Sequence, residues 1–210
     1  MPVQVDIKFD KHKLADIRRR LSEVPKAAPG VMSRAINRTA TTIRAALVKR
    51  LMGTVKLRAK TIRSHIKISK ATRRRLKAVI SIFGRRIPLI DYRGARQIKK
   101  GVSFTISTSV SSVITTRGGD VIARVGAGRQ RITGPPAPFI TTVRGHRGIF
   151  RRKTAETKRL PIVELYGPGL GEIYAQLDPQ ARRMNAEATN ALRKNIESQI
   201  DYVLSKHGLK

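Results

Sequence analysis

The sequence predicts an α+β fold in which a mainly antiparallel sheet is flanked by N-terminal helices and one long C-terminal helix. Three observations predict it. Apolar residues recur at helical spacing near both ends of the 210-residue chain, their period falls to two in the middle, and the middle runs are rich in Val, Ile and Thr and bounded by glycine. A chain of this length can bury a sizeable core as one domain. The expected layout is a helical segment over residues 1–66, a basic sheet region over 67–166 and the C-terminal helix over about 179–206.

In the first segment Leu14, Ile17, Leu21 and Val24 form a stripe that Pro25 interrupts. A second helix is expected from about Pro29 to Met52, because Met32, Ile36, Ala40, Ile43, Leu47 and Leu51 fall within one narrow arc of the helical wheel. Its polar side is thinly charged and rich in Asn and Thr, which suits packing inside a protein better than lying on a membrane. Residues 57–66 add a short third helix.

From about Lys67 the period is two. Leu76, Ala78, Ile80 and Ile82 alternate with Lys77, Val79, Ser81 and Phe83, as in a strand with one buried face. Residues 102–108, 111–116, 120–126 and 160–166 read as further strands, with Arg117-Gly118-Gly119-Asp120 as a hairpin turn. The glycine- and proline-rich stretch 126–138 reads as linker-like. Asp178 and Pro179 supply an N-cap and a first-turn proline for the last helix. Ala188, Leu192, Ile196, Ile200 and Val203 make its apolar stripe, and Gly208 its C-cap.

The charge is lopsided. Lys and Arg number 45 against 13 Asp and Glu, a net +32. Residues 56–159 hold 27 of the basic side chains and only Asp91, Asp120 and Glu156 as acids, whereas residues 160–210 hold six of each sign. Ordinary surfaces mix both signs, so this bias points to a polyanion. The residues expected to face it are Arg73, Arg74, Arg75, Lys77, Arg85, Arg86, Arg93, Arg96, Lys99, Lys100, Arg129, Arg131, Arg151, Arg152 and Lys153. Few aromatics and no helix rich in base-reading side chains imply phosphate contact without base recognition.

Other chemistries find little to work with. There are no cysteines, which removes disulfides, thiolate metal sites and cysteine nucleophiles. The acids are scattered and the four histidines lack metal-ligand spacing, so neither catalysis, nor a cofactor, nor a metal is expected. The glycine-rich segments 126–130 and 167–172 fit turns, not phosphate loops. Without a signal-like N-terminus or a membrane-length apolar run, the chain is expected to be made and kept in a cytoplasm.

Four stretches, MSRAINRTATTIRAAL (32–47), GRRIPLIDY (84–92), ITGPPAPFI (132–140) and KRLPIVELYGPG (158–169), occur in an order that resembles the minor tail protein Z, or tail-completion, family of long-tailed bacteriophages. The likeness spans roughly residues 30–175. It implies a structural protein of the head-to-tail junction that completes the tail and helps seat the DNA end. It also implies a homo-oligomeric ring, with six copies as one option, that meets tail-terminator, tail-tube or tape-measure and head-connector proteins. The expected location is the tail neck of the virion, after assembly in the host cytoplasm. A basic ring around a channel would meet double-stranded DNA, which carries a negative charge every ~1.7 Å of axis. The residues leave two other readings open: a non-phage, sequence-independent nucleic-acid-binding protein, and an adaptor docking on an acidic protein ring.

Overall fold

The computed structural model describes residues 3–8, 15, 17, 19–22, 24–107, 111–154, 160–176 and 179–209. They group into two compact units. A helical unit comprises Pro2–Leu47, Ile66–Ile82 and Leu177–Lys210, and a sheet-rich unit comprises Val48–His65 and Phe83–Gln176. The class is α+β with antiparallel sheets, as the sequence predicts.

Helix α1 (Ala28–Thr54), whose residues 28–47 belong to the helical unit, forms on the predicted stripe, and Met32, Ile36, Ala40, Ile43 and Leu47 are all buried. Its many threonines do not break it, because their hydroxyls donate back along the helix: Thr39 to Ala35 O, Thr41 to Asn37 O and Thr42 to Arg38 O. Ile17, Leu21, Ala28, Val31, Met32 and Ala35 pack with Ile196, Ile200 and Val203 of the long C-terminal helix (Pro179–Lys206). Around that core, Asn195 Nδ2 donates to Thr39 Oγ1 at 2.9 Å and Arg20 pairs with Glu197 at 2.8 Å. The C-terminal helix ends as predicted at Gly208, whose φ of +68° lets Leu209 N–H reach Leu204 O and Gly208 N–H reach Ser205 O. Asp178 and Leu14 lie outside the described residues.

The same unit holds a three-stranded sheet of β1 (Val3–Lys8), β2 (Ile66–Ser69) and β3 (Lys77–Ile82), in the order β1-β3-β2. Ala78, Ile80 and Ile82 are fully buried, as their alternation requires. β1 corrects the expectation of helix from residue 1. VQVDIK alternates apolar and polar residues, and pairing across Val5↔Ile80 and Ile7↔Ala78 satisfies a backbone edge of β3 that would otherwise lie open.

The sheet-rich unit contains a short helix α2 (Ala59–Ser64) and strands β4 (Ile87–Pro88), β5 (Arg96–Ile98), β6 (Gly101–Thr105), β7 (Ser112–Thr116), β8 (Val121–Val125), β9 (Arg129–Thr133), β10 (Phe139–Val143), β11 (His146–Arg152) and β12 (Ile162–Gly167). Helix α3 (Leu170–Gln176) follows. One sheet runs β10-β11-β12-β7-β8 with β4 also on β12, and another runs β5-β6-β9. The predicted hairpin turn joins β7 to β8, closed by Thr116 N–H to Asp120 O at 2.9 Å. The linker-like stretch 126–138 is corrected in part, since its Arg129–Thr133 segment pairs along the whole of β6.

Two of the distinctive sequence words meet in this unit. β4, from GRRIPLIDY, pairs with Tyr166 and Gly167 of β12, and the buried Tyr92 donates its hydroxyl to Pro168 O at 2.7 Å. A side chain at Gly167 would strike the Tyr92 ring, and one at Gly169 would strike the Gly84 backbone. Burial, with Glu172 and Asp91 adding, pushes the Tyr92 phenol far above its usual range, so it acts as a permanent donor. This junction is structural.

Candidate nucleic-acid interface

The fifteen basic residues singled out by charge divide between the units. Arg73, Arg74, Arg75 and Lys77 belong to the helical unit, and the other eleven to the sheet-rich unit. The three arginines sit on the β2–β3 connection and are all exposed. Thr72 fixes that loop, its N–H bonding Arg75 O at 2.9 Å and its hydroxyl accepting from Arg75 N–H at 3.0 Å. Loop side chains on a tied backbone can reach phosphate without a folding cost at contact.

The β5-β6-β9 sheet brings a second set together. Register places Arg96 and Arg131 on either side of Ser103, and Arg129 opposite Thr105. Residues opposed in an antiparallel ladder share a face, so Arg96, Arg129 and Arg131 project from one face while Val102, Phe104 and Ile132 are buried on the other. Arg129 Nε donates to Ser103 Oγ at 2.9 Å, which holds the guanidinium over the sheet. Lys99 and Lys100 form the exposed β5–β6 tip, and Arg93 is exposed just before β5.

Three of the remaining predicted residues, Arg86, Arg151 and Arg152, have work inside the protein. Arg86 lies against the β7–β8 turn, its Nη1 3.5 Å from Thr116 O and close to Gly119, while Arg85 beside it is exposed. Arg151 donates to Pro136 O at 2.9 Å and to Pro135 O at 3.4 Å, and Arg152 stacks 5.3 Å from the centre of the Phe139 ring. Both are half-buried and brace the proline loop. Lys153 is exposed.

The selected set left out Arg117, Arg124, Arg144 and Arg147, which are exposed on the β7–β8 and β10–β11 hairpins. Their signal was position, since three of the four flank a glycine turn. Two of the acids are occupied locally. Asp120 Oδ2 accepts from Thr116 Oγ1 at 2.9 Å, and Glu164 lies between His146 Nε2 at 2.6 Å and the Tyr166 hydroxyl at 2.7 Å. Burial, then the bond to Glu164 and its charge, pushes the Tyr166 phenol up to about 12. Among the described residues no cluster of His, Asp or Glu could hold a metal ion, and no helix is long and apolar enough to cross a membrane.

The arrangement is a set of multivalent cationic faces on paired strands and tied turns. Comparison with protein families gives a match to Prophage minor tail protein Z (GPZ) over residues 14–206. The chain belongs to that family. It is thus a structural component of a phage tail, and of the virion that carries the tail. Neither curated proteins nor solved structures provide a match. Within this minor tail protein the family-like words fall at structural junctions, with Asn37 of the first binding the backbone of the arginine loop at Ala71.

Proposed function

We propose that this minor tail protein completes the tail at its head-proximal end and joins it to the head, with its basic faces toward the DNA or the channel that carries it. The observation that supports this most is the exposed, carboxylate-free set of Arg96, Arg129, Arg131, Lys99 and Lys100 on one small sheet of a tail protein. Tail tubes and connectors conduct one polyanion, and a duplex would neutralise such a face phosphate by phosphate without regard to sequence. A homo-oligomeric ring fits the same reading, because DNA in its bore would offset repulsion between copies of a +32 chain. Tail terminator, tail tube or tape-measure and head connector are its neighbours in this proposal.

The test is a phage in which the gene carries a nonsense allele, grown in a non-suppressing host. Filled heads and separate tails, joined after addition of the purified protein, are expected. Particles that join and infect without the protein would overturn the reading.

A further inference from the structure

The helical unit contains a cavity of about 520 Å³ lined by residues from the turn before α1, α1 itself, the β2–β3 loop and the end of the C-terminal helix. Lys26, Arg34, Arg73 and Lys206 contribute cationic ends, His207 adds an imidazole, and no carboxylate is among the described lining residues. Only Arg73 of these was marked by the charge of the sequence. A Cβ placed on Gly30 would lie 3.5 Å from Arg34 Nη1 and 3.8 Å from Arg73 Nε, so two guanidinium groups converge on one small space. Arg34 Nε donates to Gln199 Oε1 at 2.9 Å, a neutral partner that orients the charge and does not cancel it. Like charges held this close repel unless an anion sits between them.

We infer that this cavity is a docking pocket for a carboxylate-bearing segment of another protein. Its volume is that of a site for a side chain or short peptide, and a duplex is far too wide to enter it. The lining is mixed: Tyr202, 59% exposed, stands at the cavity beside Ala27 and Val203. An exposed aromatic next to arginines is the composition of a protein-contact hot spot, and a phosphate backbone has no use for the apolar part. A second copy is a poor occupant, because the chain has 13 acidic residues against 45 basic ones. The inference goes beyond the proposed function and does not depend on which basic face meets DNA.

The experiment uses the full-length chain, a capped synthetic peptide repeating Glu-Glu-Leu, and a short duplex, each titrated at moderate salt. Arg34→Gln combined with Arg73→Gln is expected to weaken the peptide about tenfold or more, the loss of charge-assisted hydrogen bonds. Tyr202→Ala is expected to weaken the peptide and leave the duplex unchanged. A stability measurement supplies an independent arm, since Gly30→Asp places a carboxylate between the two guanidinium groups. It should melt above the Gly30→Ala control at low salt, lose that advantage near 1 M salt, where charges are screened beyond ~3 Å, and bind the peptide poorly. Unchanged peptide affinity in the double variant, or an aspartate no more stabilising than alanine, would overturn the pocket. Equal losses of duplex and peptide on Tyr202→Ala would assign the pocket to phosphate and overturn the protein partner.

Discussion

The side-chain amide of Asn37 holds the backbone of Ala71 at both ends: Nδ2 donates to Ala71 O at 2.9 Å and Oδ1 accepts Ala71 N–H at 2.8 Å. An asparagine on a helix thereby does for one residue what a neighbouring strand does for another. It fixes where the loop carrying Arg73, Arg74 and Arg75 leaves β2. Ala71 is nearly buried, so neither of its backbone groups has water as a ready substitute.

Asn37→Ala should therefore cost about 2–4 kcal/mol, two hydrogen bonds to buried partners, in chemical denaturation. Asn37→Asp separates the two bonds, keeping the acceptor for Ala71 N–H and losing the donor to Ala71 O. Its stability should fall between parent and alanine. Amide exchange at Ala71 should accelerate most in the alanine variant; unchanged exchange there would mean that the loop is held by other contacts.

The apolar stripes make a second prediction. Ile43 is 2% exposed and Ile196 6% exposed, and Ile196 belongs to the core that α1 and the C-terminal helix share. Ile43→Asp or Ile196→Asp places an unpaired charge there and should cost on the order of 3 kcal/mol or more. Thermal melts of the two variants matching the parent would contradict the packing of these helices.

The helices were legible because their signal is local. Six apolar residues in one arc suffice to locate α1, and a proline with a distant glycine suffices to bound the last helix. β9 was not, since Ile132 is the only large apolar residue in Arg129–Thr133 and its strand state comes from β6, a partner some thirty residues earlier. β1 was missed for the same reason, with its β3 partners 69 to 79 residues away. The basic residues were legible as a population and not as individuals. Nothing local distinguishes Arg151, which donates to proline carbonyls, from Arg131, which projects from a sheet, because the distinction is made by a loop folded back from Pro135.

Tyr166 predicts a pH dependence. Its folded pKa, pushed up to about 12, lies above the ordinary value of 10.0, so the folded state holds the proton more tightly than the unfolded one. That contribution is fully present below pH 10 and is lost as pH rises from 10 toward 12. Tyr166→Phe cannot ionise and also removes the bond to Glu164. Its stability should be lower than the parent's at pH 8, and the gap should narrow through pH 10–12 in denaturant titrations. A constant gap across that window would show that the Tyr166 hydroxyl is not held by Glu164.

The arginine faces give the most discriminating prediction. If Arg96, Arg129 and Arg131 each meet a phosphate, replacing all three by glutamine should lower the slope of log affinity against log salt by about 2.7, at ~0.9 per contact, with no change in base preference. Arg129→Gln can keep a donor to Ser103 Oγ, and Arg96 and Arg131 are exposed, so the fold should survive. A parallel variant replacing Arg73, Arg74, Arg75, Arg85 and Arg86 by glutamine reads the loops of both units. Arg86 is the member with an internal role, so its change alone should also lower thermal stability slightly. If only the sheet variant loses slope, the duplex lies on β5-β6-β9; if only the loop variant does, it lies on the turns. Equal slopes for parent and both variants in a fluorescence titration would take DNA out of the proposed function and leave an acidic protein ring as the partner of these faces.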